Sequence, residues 1–214
     1  MLTATAPNRA TRHADWARTV AWSRTPPPTV APVIQTITGE HHSRVADGAA
    51  KAWLAHIHQT DARAEARVLD LHKRDLMRSI GVMQEHYGPR FILAEIVKAT
   101  GSRSLARVMV AGNVNGQLGL YRYTLGNRQG AFRHVNAVSA SMHALSRCLQ
   151  RTVSTTDADV AVGPLVDAMA VFIEHCLKAG KPDGEYRVMG GVFKLSKGEA
   201  VMATWLGDEN FINK

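Results

Sequence analysis

The stretch Ser139–Arg151 reads S-A-S-M-H-A-L-S-R-C-L-Q-R and spaces His143, Arg147 and Arg151 at steps of four. On a helix starting near Ser141 those three side chains share one face. Leu145 and Leu149 fall on another face and point inward, with Cys148 near the boundary. An imidazole exchanges protons near neutral pH, and planar guanidinium forks bind phosphate or carboxylate. One short helix therefore offers a proton-transfer group and two anion-binding groups in a row. The same spacing also describes an ordinary amphipathic helix with a solvated basic face.

The charge pattern around this helix is uneven. The chain has a formal net charge of +8, and between Ile96 and Thr156 it contains no Asp or Glu. That stretch carries eight of the 26 basic residues, Lys98, Arg103, Arg107, Arg122, Arg128, Arg133, Arg147 and Arg151, leaving 18 elsewhere to balance the 18 acids. The whole excess thus lies in one Arg-rich, acid-free block. Such a block suits an anionic partner, nucleic acid first, although basic surfaces without a specific partner are also common. Arg103, Arg107, Arg122, Arg128, Arg133 and His134 are the candidate nucleic-acid contacts.

The elements that position these residues follow from pattern. Residues 1–38 hold five of the eight prolines and read as a flexible tail, with Trp16 and Trp22 as its apolar exceptions. A helix is expected from about Glu40 to Gln59, buried through Val45, Ala49, Trp53 and Ile57, and a second from Asp61 to Tyr87, stopped by Gly88-Pro89. Ile92, Ile96 and Val97 then suggest a helix over Phe91–Ala99. Leu93–Val108 is alternatively a helix-turn-helix, with Thr100-Gly101 as its turn and Arg103 and Arg107 on a recognition helix. Against that, Arg107–Ala111 is rich in strand formers and runs into Asn115-Gly116, a type I′ hairpin signal. Phe132–Val138 reads as a further strand. A long apolar helix follows, capped by Thr156 and Asp159 or begun by Pro164, and two strands end the fold, Tyr186–Leu195 and Glu199–Leu206.

These expectations amount to an α+β protein. A tail (1–38) and a helical segment (39–100) precede an α+β domain (101–214), in which a small, mostly antiparallel sheet packs against two helices. Cys148 and Cys176 read as reduced, buried thiols of a cytoplasmic protein. His41, His42, His56 and His58 lack the i, i+4 spacing of a helical metal site. No phosphate loop, dinucleotide fingerprint or nucleophile elbow is present, so neither cofactor nor metal is expected. Nor is a membrane partner, since no apolar run has the required length.

Ser141, His143, Ala144, Leu145, Arg147 and Arg151 form an S-x-H-A-L-x-R-x-x-x-R pattern inside a strand, short helix, long helix, strand order. Residues 131–206 in this respect resemble small toxin-like domains related to the BrnT and RelE ribonuclease toxins. The resemblance implies metal-independent RNA cleavage, with His143 as general base or acid and Arg147 and Arg151 stabilising the transition state. Tyr186 and Arg187 on the following strand, and Arg133 or His134, are candidates to face the same site. This chain is longer than those toxins and has a helical segment before its hairpin. The function expected is nucleic-acid binding, with toxin-like ribonuclease activity as its sharper form. The alternatives are a non-enzymatic helix-turn-helix DNA-binding protein and a protein whose basic face meets an acidic partner such as an inhibitor.

Overall fold

The computed structural model describes residues 43–99, 103–126, 132–152, 155–179, 184–196 and 199–207. The tail, the His41-His42 pair, the Thr100-Gly101 turn and Arg128 lie outside the described residues, as does the side chain of Arg103. Two helices, α1 (Ser43–Leu71) and α2 (Leu76–Tyr87), are followed by a 3-10 turn, Gly88–Arg90. Strands β1 (Phe91–Ala99), β2 (Arg103–Val114), β3 (Gln117–Gly126) and β4 (Phe132–Ala140) come next. Helices α3 (Met142–Arg151) and α4 (Ala158–Ala179) lead to β5 (Glu185–Val188), β6 (Gly191–Ser196) and β7 (Glu199–Trp205). The seven strands form one sheet in the order β1-β2-β3-β4-β7-β6-β5. Only the β4–β7 pair is parallel, so the fold is α+β with a mostly antiparallel sheet.

Local chemistry explains most boundaries. Asn115 and Gly116 both take positive φ (51° and 81°), and Val114 pairs with Gln117. This is the two-residue turn whose twist matches the flanking strands. Gly88 ends α2 at φ 48°, its N–H bonded to the Gln84 carbonyl. Ser141 caps α3 by accepting from the Ala144 N–H at 3.1 Å, while its own hydroxyl donates to the Ala203 carbonyl at 3.0 Å. That second bond ties the start of α3 to β7.

Four expectations are corrected. The helix break near Thr60 is absent: α1 runs on to Leu71, because the Thr60 hydroxyl bonds back to the His56 and Ile57 carbonyls inside the helix. The break falls at Asp75, whose carboxylate accepts the Arg78 N–H at 2.9 Å. Phe91–Ala99 and Arg103–Val114 are strands, paired from Phe91↔Val110 to Ala99↔Arg103, so Leu93–Val108 is not a helix-turn-helix. The four-residue step from Ile92 to Ile96 fits both periods, since four is also a multiple of two, and cross-strand pairing decided between them. For α4 the cap is Asp157, which accepts from the Asp159 N–H at 2.9 Å, and Pro164 lies inside the helix. The Gly190-Gly191 interruption is a hairpin, with Met189 at φ 46°, so three strands end the fold where two were expected.

The core explains why the sheet packs against more than two helices. Trp53 and Ile57 of α1, Leu145 of α3 and Phe172 of α4 cover Ala111, Leu118, Leu120, Phe193 and Met202. A second cluster packs Val68 of α1 and Leu76, Ile80, Met83 and Tyr87 of α2 on Ala106, Val108, Val110, Tyr123 and Leu125. In the unbroken β2–β3 register Val110 faces Tyr121 and Ala111 faces Leu120. One residue step therefore separates the two sides of the hairpin, and both are used. The first half of α1 serves one side and Val68, near its end, the other.

Gly119 sits on β3 beneath Val114, and a Cβ there would come within 2.6 Å of a Val114 methyl. Gly119→Ala is expected to cost about 1–3 kcal/mol by overpacking. In urea unfolding, Val114→Ala introduced into the same chain should recover only part of that loss, because the Cβ that remains at position 114 would still lie 2.9 Å away.

Candidate nucleic-acid interface

Helix α3 presents the row its spacing implies. Its buried residues are Ala144, Leu145, Ser146, Cys148, Leu149 and Gln150, while His143, Arg147 and Arg151 are exposed. The three are not equivalent. Arg151 donates to the Trp205 carbonyl at 2.8 Å, which fastens the end of α3 to the end of β7. Arg147 donates to the Gln150 side chain at 3.1 Å. His143 projects from the first turn, with its imidazole exposed.

The remaining basic candidates sort by sheet register. Residues directly opposite one another on neighbouring strands share a face. Leu93 pairs with Met109, Met109 with Arg122, and Arg122 with His134, giving one row across β1, β2, β3 and β4. The adjacent row on the same face runs Glu95, Arg107, Thr124. Arg107, Arg122, His134 and Leu93 are exposed, while Met109 and Thr124 are half-buried. The sheet thus gathers three of the six candidate contacts, Arg107, Arg122 and His134, on an open face with apolar side chains beside them. One carboxylate, Glu95, lies 3.8 Å from Arg107, with both groups well exposed. Such surface pairs are worth little and separate easily.

Arg133 is not part of this face. Its partner residue is Tyr123, on the side packed against α2, and its guanidinium is bonded to Glu65 of α1 at 2.7 Å and stacked 4.8 Å over the Tyr121 ring. Burial, the largest single influence, opposes its charge, yet Glu65 and the hydrogen bond to Tyr123 together outweigh it and raise its pKa. The Tyr123 hydroxyl is pushed up to about 12, chiefly by burial. Arg133 is thus a tie between α1 and the sheet.

Tyr186 and Arg187 do not converge on His143. Tyr186 stacks on His175 at 4.6 Å and lies 5.5 Å from Phe172, so its ring packs on α4. Alternation along β5 turns Arg187 to the opposite side of the sheet, where it bonds Glu185 at 3.2 Å. The expectation that both face the α3 row is therefore corrected: β5 is one of the two edge strands, and its inward position is taken by packing. The chain matches no protein-family model, no curated protein and no solved structure. Geometry and chemistry therefore carry the functional reading.

Local sequence pattern does not point to the tightly paired charges around Arg90. Arg90, 1% exposed, donates to both Asp61 oxygens at 2.8 and 2.9 Å and to the Ala111 carbonyl at 3.1 Å. Its Nε lies 3.4 Å from Asp159 without hydrogen-bond alignment, and its guanidinium stacks 5.0 Å from the Tyr87 ring. His86 donates to Asp61 at 2.9 Å, and the Trp53 indole N–H to Asp159 at 2.9 Å. Burial works against the Arg90 charge, but Asp159 and Asp61 hold its pKa above the ordinary value. Burial likewise pushes Asp61 up, and the His86 hydrogen bond and the Arg90 charge outweigh it, leaving the carboxyl below its usual range. The only sequence signal was an arginine directly after a Gly-Pro stop. Its partners are 21, 29 and 69 residues away, beyond any local pattern.

Among the described residues no group of three or more His, Cys, Asp or Glu is placed to hold a metal ion, and no helix is long and apolar enough to cross a membrane. Neither cysteine is in a disulfide: Cys148 is buried, its thiol donating to the Ala161 carbonyl at 3.3 Å, and Cys176 is half-buried.

Removing one partner of a buried ion pair strands the other, so Arg90→Met is expected to destabilise by about 3–5 kcal/mol in denaturant unfolding. Because the folded-state pKa of Asp61 is depressed, its contribution is complete above the unfolded value of about 3.9. It is lost as pH falls through the lower folded value. The parent should therefore lose stability steeply below about pH 4, and Asp61→Asn, though weaker at neutral pH, should show a shallower acid limb.

Proposed function

We propose that this protein binds nucleic acid through the open face of β1–β4, with Arg107 and Arg122 as its principal phosphate contacts and His134 beside them. The observation that carries the reading is the cross-strand adjacency of Arg122 and His134, next to Arg107, on an exposed face of the acid-free segment. Cations held on a rigid sheet lose little freedom when they meet a phosphate chain. The net charge of +8 adds long-range attraction for polyanions. Cys148 and Cys176, which form no disulfide, fit a reducing, cytoplasmic setting.

A second reading, metal-independent RNA cleavage of the toxin-like kind, is favoured by one observation: His143 is exposed one helical turn from Arg147. Cleavage by 2′-hydroxyl attack needs a base, an acid and cationic stabilisation together. The α3 row supplies one imidazole and the Arg147 fork, while Arg151 is held by the Trp205 carbonyl and Tyr186 and Arg187 are placed elsewhere. Binding is thus the better supported activity. The third reading, an acidic protein partner, uses the same cations but has no sign of such a partner to favour it.

Fluorescence anisotropy with labelled RNA and DNA is expected to show affinity that falls steeply with salt. Arg122→Ala should weaken binding and reduce the slope of log K against log salt by about 1, one phosphate contact. Arg187→Ala, on the far side of the sheet, should change neither. At protein concentrations that saturate binding, RNA in EDTA should stay intact. Cleavage that disappears in a folded His143→Ala variant would instead place the activity on α3.

A further inference from the structure

The open face is not uniformly basic. Its main row passes from exposed Leu93 through half-buried Met109 to exposed Arg122 and His134. Neighbouring strands lie about 4.8 Å apart, so the row spans roughly 14 Å, apolar at one end and cationic at the other. Its ligand must combine an apolar surface and an anion within that distance. A nucleic-acid duplex does not: it turns its phosphates outward and keeps its bases stacked inside, so its backbone would lie against Leu93 and Met109. Duplex DNA is read by a helix or a two-stranded ribbon entering the major groove. The segment with that potential, Leu93–Val108, is instead fixed in adjoining strands of the sheet. A single strand offers both parts, because its bases can be splayed away from its phosphates.

We infer that the open β1–β4 face takes a single-stranded nucleic acid, with bases against Leu93 and Met109 and the adjoining phosphates on Arg122 and Arg107. His134, planar and beside Arg122, stacks against a base or bonds a phosphate at the far end of the row. This inference rests on the nucleic-acid reading above and narrows it to strand state. The Glu95–Arg107 pair opens when a phosphate arrives, which releases the Arg107 fork.

The test measures anisotropy with a labelled oligonucleotide of about ten nucleotides, as RNA and as DNA, single-stranded and annealed to its complement. The single strands should bind about tenfold or more tightly than the duplexes. Leu93→Ala, a change at an exposed position, should weaken single-strand binding several-fold with the salt slope unchanged, whereas Arg122→Ala should lower the slope. Equal or tighter duplex binding that is still sensitive to Arg122→Ala would overturn the inference and leave nucleic-acid binding standing. Absence of binding to every form would overturn both. Single-strand binding indifferent to Leu93→Ala and Arg122→Ala, in variants whose circular dichroism matches the parent, would move the site off this face and overturn the inference.

Discussion

The fold depends on a buried charge. Arg90 stands at the junction between the helical segment and the sheet, nearly sealed from solvent, and its neighbours come from every layer. Asp61 comes from α1, Tyr87 from the end of α2, Ala111 from β2 and Asp159 from the first turn of α4. Burying a guanidinium costs several kcal/mol unless it is paired and hydrogen-bonded, and one misplaced element would leave it unpaired. The cluster therefore fixes how the helices sit on the sheet more than it adds net stability. Gly112 belongs to the same arrangement: a Cβ there would lie 3.1 Å from an Asp61 oxygen.

That anchoring lets one hairpin serve two cores. Because α1 is long, it covers the Ala111–Leu120 side with Trp53 and Ile57, then reaches the other side of the hairpin with Val68. Asp61 lies between those two stretches of α1, held by Arg90. Part of the hairpin's first side is left open, and Arg107 and Arg122 emerge there. The open face is thus a consequence of where the helices are pinned. It is backed by α2, packed on the reverse side of the same strands.

The same packing divides the acid-free segment. In sequence its basic residues form one block; in space five of them, among the described side chains, serve three surfaces. Arg107 and Arg122 stay on the open sheet, Arg133 is held by Glu65 on the reverse side, and Arg147 and Arg151 line α3. Arg133 was indistinguishable from its neighbours in composition, but alternation along β4 turned it toward α1. Arg151 is likewise used to close α3 onto β7. A charge count overstates the number of cations free to meet a ligand.

By itself the sequence determined what short-range chemistry determines. The Asn115-Gly116 turn, the Gly88-Pro89 stop, the Ser141-capped helix with its basic row and the apolar face of α4 each depend on a few adjacent residues. Tertiary structure decided three matters that lie beyond that range. It made Phe91–Ala99 a strand, because the spacing of Ile92 and Ile96 suits either period and only the partner strand breaks the tie. It set Arg122 beside His134, since register depends on a neighbouring strand. It buried Arg90, whose compensating carboxylates are contributed by α1 and α4, and only a folded chain brings those close enough for an ion pair to form.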